Sequence, residues 1–145
     1  MSNELKFSIS SKSESPAKTK ITTRGFDLLV DEPEELGGTN EAPNPVEYIL
    51  AGYAGCINVV AHIVAEELDF PLENLRVDID GYLNPNRLFG KSLEDRAGYK
   101  AIDVKLETTS TIDPELKKRW LDEIEHRCPV NDNLTNTTPI NFSIN

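Results

Sequence analysis

At 145 residues the chain has the size of one domain, enough to bury a single core but not two comfortably, so one domain over residues 1–145 is expected. Its formal net charge of −10 leaves no positive footprint for nucleic acid or an anionic membrane surface. A hydrophobic content of 38%, concentrated in a few segments, is low for a monomer and points to a core shared with a second subunit.

No apolar run follows a basic stretch near the start. The one long apolar segment contains Glu47, Asn58, His62 and Glu66, so neither a secretory signal nor a membrane span is expected. The chain reads as cytoplasmic. In that compartment its two cysteines, Cys56 and Cys128, are expected to be reduced, catalytic or merely buried rather than a structural disulfide. There is no CxxC pair and no closely spaced ligand set, so no metal site is expected.

In chain order, Leu5, Phe7 and Ile9 alternate before a polar run, which reads within residues 1–17 as a short, loosely held edge strand followed by a turn at Pro16. Residues 19–30 are β-branched and aromatic, with Ile21, Thr22, Thr23, Phe26, Leu28 and Val30 spaced for one or two strands and Gly25 marking a bulge or bend. Residues 31–43 hold two prolines, the pair Gly37-Gly38 and no periodicity, so they form a loop. Its acidic residues Asp31, Glu32, Glu34 and Glu35 lack the alternation of a hard-cation site and read as solvated charge.

The loop delivers the chain to a long helix. Asn44 caps it, Pro45 suits the first helical position, and Glu47 stands where a capping-box partner belongs. Val46, Ile49, Tyr53, Cys56, Val60 and Ile63 recur as one apolar stripe, and Ala51, Gly52, Ala54 and Gly55 let another backbone come close. Asp69-Phe70-Pro71 ends the helix. Leu75, Val77, Ile79 and Leu83 alternate with polar residues, as do Ile102, Val104 and Leu106, giving two half-buried strands joined by a loop over 84–98 longer than a hairpin needs. Asp113-Pro114-Glu115 opens a second helix on which Leu116, Trp120, Ile124 and Cys128 fall at steps of four, and Pro129 stops it. Ile140, Phe142 and Ile144 alternate as a last strand. His62 reads as a satisfied side chain, His126 and Arg127 as solvent-facing groups suited to a helix C-terminus, and Arg87 and Arg96 as surface residues of the long loop, with the alternative that one of these two reaches a thiol.

Taken alone, Cys56 is a buried thiol like most free cysteines. Its neighbourhood changes that reading. Asp31-Glu32-Pro33, Gly37-Gly38-Thr39, the run from Asn44-Pro45-Val46-Glu47-Tyr48 to Ala51-Gly52-Tyr53-Ala54-Gly55-Cys56, and Cys128-Pro129-Val130 together resemble the OsmC/Ohr family, from about Phe26 to the C-terminus. The resemblance implies an α+β, OsmC-like fold in which two central helices are wrapped by antiparallel β-sheets in an intertwined homodimer. It also implies a cofactor-free, metal-free thiol peroxidase acting on organic hydroperoxides, with Cys56 peroxidatic, Cys128 resolving, and an external dithiol reductant restoring the pair.

An apolar helix face raises a thiol's pKa, so the chemistry needs a cation beside Cys56. By the resemblance this is an arginine from the N-terminal region, and Arg24 is the only arginine before the helix. Family peroxidases hold that arginine with a glutamate ten residues before the reactive cysteine, where this chain has Val46 and places Glu47 one position later. Nine steps at about 100° put Glu47 roughly opposite Cys56, facing the cap. The departure keeps a second reading open: a non-catalytic dimer of the same fold that binds a hydrophobic small molecule or senses redox state.

Overall fold

A computed structural model describes residues 3–145. It is α+β, with three helices and two antiparallel sheets, and it divides into two compact units, the first ending at Ile49 and the second beginning at Leu50.

The first unit is a meander of β1 (Ser10–Ser13), β2 (Thr19–Thr23) and β3 (Phe26–Val30), each antiparallel to the next. Gly25 marks neither bulge nor bend within a strand. With Arg24 it forms the two-residue turn between β2 and β3, both at positive φ (47° and 86°), as a tight right-twisted hairpin requires. The expected edge strand at Leu5, Phe7 and Ile9 lies instead at Ser10–Ser13, because strand 10–13 is the one with a partner, β2, and the alternating residues stay exposed.

The loop after β3 is more ordered than its composition suggests. It contains a 3-10 turn at Glu34–Leu36, closed by Gly37 in the left-handed region, and Gly38 sits so close to the Glu32 carbonyl that a Cβ would collide with it. Asp31 is 0% exposed, which overturns its reading as solvated charge. Its carboxylate accepts hydrogen bonds from Glu32 N (2.8 Å), Thr39 N (3.2 Å), Thr39 Oγ1 (2.7 Å) and Glu41 N (3.1 Å). These hold its pKa far below the ordinary carboxylate range, the Thr39 hydroxyl most of all, and a buried charge is tolerable only when so satisfied.

Helix α1 (Pro45–Glu67) begins with the expected capping box: Asn44 N donates to Glu47 Oε1 (2.9 Å) and Glu47 N to Asn44 Oδ1 (2.8 Å). By length and composition α1 is apolar enough to cross a bilayer, with a mean hydropathy of 1.6 over its best window, a third of which is buried. The face it buries is Tyr53, Ile57, Val60, Ala61, Val64 and Ala65. This corrects the expected stripe. Tyr53 and Val60 belong to it, but Ile49 and Ile63 are 44% exposed, because periodicity locates an apolar face without saying which of two adjoining faces meets the core.

In the second unit β4 (Arg76–Leu83) pairs antiparallel with β5 (Tyr99–Glu107), bringing Val77 opposite Leu106 and Ile79 opposite Val104. Helix α2 (Pro114–Arg127), capped by Asp113, buries Trp120 and Ile124. Trp120 donates its indole N–H to Ala61 O (2.9 Å) and meets Phe70 edge to face at 5.6 Å, which ties α2 to α1. A third helix, α3 (Pro129–Thr135), follows Pro129, where only a stop is expected; proline ends one helix and starts the next because the first helical position needs no N–H. The expected last strand at Ile140, Phe142 and Ile144 does not form, and Phe142 is 96% exposed. Alternation needs a neighbouring strand to take its N–H and C=O groups.

Candidate functional site

The site is built where α1 meets the junction of α2 and α3. Cys56 lies in the middle of α1, half-buried at the margin of the packed face. Cys128 is reached by steps of four from Trp120 and Ile124, so it falls on the same buried side of α2 and is 1% exposed. It belongs to neither helix: with φ −75° and ψ 114° it is extended, ending α2 through its N–H on Ile124 O (3.1 Å) and capping α3. The two sulfurs lie 2.9 Å apart, the Cys128 thiol donating to Cys56 Sγ. A disulfide, at about 2.05 Å, needs them to close by roughly 1 Å.

Burial pushes the Cys128 thiol up from its ordinary value, and its hydrogen bond to Cys56 adds to this, while the Asn131 N–H (3.4 Å from Cys128 Sγ) works against both. The Tyr53 hydroxyl is likewise raised, first by burial and then by the neighbouring Cys128, Glu125 and Cys56; it donates to Asn131 Oδ1 at 2.6 Å. A cleft of about 870 Å³, floored by Ile57, Trp120 and Ile124, has Tyr53, Cys128 and Asn131 in its wall. Lys105, Glu107, Lys117 and Glu125 also line it, so the cleft is apolar at its floor and charged at its rim.

Arg24 occupies the β2–β3 turn of the first unit, exposed, its guanidinium carbon 5.3 Å above the Phe26 ring. Glu47 is committed to the cap, as its place on the helix implied. His62 takes up the Asn58 carbonyl with Nδ1 (2.8 Å) and is satisfied within the helix. Arg127 is not simply solvent-facing: it grips Glu67 with both guanidinium nitrogens (2.6 and 3.0 Å), joining the ends of α1 and α2. Arg87 donates to Asp95 O (3.3 Å) inside the long loop.

Sequence reasoning missed Tyr53 and Asn131 as members of the site. One signal for Asn131 was legible. Pro129, four residues after Glu125, has no N–H for the Glu125 carbonyl, so a donor had to come from nearby, and Asn131 Nδ2 supplies it at 2.9 Å.

The profile of the OsmC-like protein family matches residues 38–143. A hydroperoxide reductase of Mycoplasma genitalium is 26% identical over 143 residues, 98% of this chain and 94% of that protein. Among solved structures, an OsmC-like protein from Mycoplasma pneumoniae superposes with a TM-score of 0.80 at 19% identity, covering 92% of this chain and 90% of that one. An organic hydroperoxide resistance protein from Legionella pneumophila gives 0.67 at 21% identity, covering 90% and 89%.

Proposed function

This chain belongs to the OsmC-like protein family, and on that premise we propose that it is a cytoplasmic thiol peroxidase reducing organic hydroperoxides through Cys56 and Cys128. The observation that carries the reading is the 2.9 Å approach of the two sulfurs. The similarity to a hydroperoxide reductase along nearly the whole chain supports it.

The more exposed sulfur meets the substrate first. The Cys56 thiolate attacks the outer oxygen of the hydroperoxide; a sulfur–oxygen bond forms, the O–O bond breaks, and the alkoxide leaves as the alcohol, taking from solvent the proton that Cys56 gave up on ionising. Cys56 is now a sulfenic acid, oxidised by two electrons. Cys128 then attacks that sulfur, a disulfide forms, and water departs with the proton of the Cys128 thiol. A dithiol reductant returns both thiols by exchange. No cofactor or metal enters this scheme.

Arg24 is assigned the role of the cation that keeps Cys56 ionised. The assignment rests on the resemblance and on Arg24 being the only arginine before α1.

A homodimer is part of the proposal. Val59 and Ile63 are exposed on α1 beside Gly55 and Gly52, and among the described residues the alternating tail at Ile140, Phe142 and Ile144 pairs with no strand; a second copy would cover both. Sedimentation should give twice the 16.2 kDa chain mass.

The deciding experiment adds one equivalent of cumene hydroperoxide to the reduced protein and maps disulfides by mass spectrometry. A Cys56–Cys128 bridge within seconds supports the reading; two free thiols after minutes defeat it. In that event the cleft of about 870 Å³ favours the second reading, a dimer that binds a hydrophobic small molecule.

A further inference from the structure

We infer that Asn131 is the residue that positions the Cys128 thiol for closure onto Cys56, and that it does so through Tyr53. The inference rests on the peroxidase reading for its kinetics but not for its geometry.

The backbone of Cys128 is held by its N–H on Ile124 O (3.1 Å) and by its carbonyl, which accepts from Asp132 N (3.0 Å), but neither bond fixes the sulfur. Cys128 lies between two helices in an extended conformation, where a chain break in the hydrogen-bond ladder leaves the last carbonyls of α2 without helical partners. The break is sharper here because Pro129 cannot donate to Glu125 O. Asn131 closes it with every polar group it has except its carbonyl. Its side-chain Nδ2 donates to Glu125 O (2.9 Å), its backbone N–H points at Cys128 Sγ (3.4 Å), and its Oδ1 accepts from the Tyr53 hydroxyl (2.6 Å). The orientation of the amide follows from chemistry, since a carbonyl cannot donate and must face the NH₂ group.

Tyr53 is one turn before Cys56 on the same helix and is itself buried in the core. The clasp therefore references the Cys128 sulfur to the helix that carries the other sulfur. Neither partner touches the bond that forms. What they supply is registration: misplacing a reacting group by about 1 Å can slow a step a hundredfold, and 1 Å is roughly the closure these sulfurs need.

Positioning of this kind affects disulfide formation whatever the oxidant. With the clasp intact the reduced pair is already ordered, so closure loses little freedom; without it, the dithiol gains freedom that the disulfide must give up again. Tyr53→Phe removes one oxygen and leaves the ring in the core, which makes it the deciding variant, with Asn131→Ala beside it.

Two measurements test the inference. In the first, the disulfide is made with diamide and equilibrated against dithiothreitol. Both variants should shift about tenfold toward the dithiol, a potential about 30 mV less negative for this two-electron couple. In the second, reduced protein is mixed with cumene hydroperoxide and dimedone. The variants should close the disulfide ten- to a hundredfold more slowly, by more than any loss in sulfenate formation, so that dimedone-labelled Cys56 accumulates. A Tyr53→Phe protein with wild-type potential and wild-type closure overturns the inference. If the diamide-made disulfide shows the shift while hydroperoxide never oxidises Cys56, the positioning role stands and the peroxidase reading falls.

Discussion

The sulfurs of Cys56 and Cys128, 72 positions apart in the chain, lie 2.9 Å from each other, and the buried thiol donates its hydrogen bond to the more exposed one. The difference in exposure divides the labour. Cys56→Ser should abolish hydroperoxide consumption. Cys128→Ser should consume about one equivalent and then stop, with Cys56 held as a sulfenic acid that advances to the sulfinic acid under excess peroxide. Intact mass after each addition distinguishes the two.

Arg24 is in the left-handed region at φ 47°, where asparagine is at home. Arg24→Asn should raise stability by about 1 kcal/mol, read from urea midpoints, and at the same time slow the reaction of Cys56 with hydroperoxide at least tenfold. A variant that is neither more stable nor slower would remove Arg24 from the site.

Glu47 and Asn44 complete each other in the capping box. Asn44→Ala should cost about 1 kcal/mol. Glu47→Gln keeps an acceptor for the Asn44 N–H and should leave both stability and peroxide reactivity close to wild type. A large kinetic loss in Glu47→Gln would mean that this carboxylate, and not only the cap, serves the thiol.

Asp31 should dominate the acid limb of stability. Its folded pKa is depressed, chiefly by the Thr39 hydroxyl and then by the backbone N–H groups of Glu41, Glu32 and Thr39. The unfolded carboxyl, at about 3.9, therefore takes up its proton first as pH falls. The stabilisation is complete above about pH 4 and is lost progressively below it. Melting temperatures between pH 2 and 7 should show this decline, and in Asp31→Asn the slope should flatten while stability at neutral pH falls. At the alkaline end Cys128 works the other way. Its raised pKa means that stability present below the unfolded thiol's value is lost as pH rises through the folded one, and Cys128→Ser should remove that loss.

Trp120 is 1% exposed and donates to Ala61 O. Trp120→Ala should cost about 3–5 kcal/mol and, because Cys128 directly follows α2, should also slow disulfide closure. Chemical denaturation and diamide oxidation of the same sample measure both.

Much of the architecture was readable from local pattern. The capping box at Asn44 and Glu47, the alternating β4 and β5, and the four-residue steps from Leu116 to Ile124 are properties of neighbours in sequence, and each formed as read. The failures share one cause. The tail at Ile140, Phe142 and Ile144 alternates like a strand, and Ile49 and Ile63 fall on a helical stripe, but whether such a face is covered depends on elements elsewhere. Asp31 was misread because four donors from residues 32–41 converge on it only after the loop has folded. The clasp of Tyr53 and Asn131 joins residues 78 positions apart, beyond any local pattern.

By itself the sequence determined the secondary structure that covalent neighbours control, the family motifs around Cys56 and Cys128, and the diversion of Glu47 to a cap. Backbone geometry and residue spacing decide these before the chain folds. Only the tertiary structure decided which face of α1 is buried, that the two thiols meet, which of them is the more sheltered, and that Asn131 spans the gap left by Pro129. Those depend on burial and on hydrogen-bond partners drawn from distant segments, and neither exists until the core has formed.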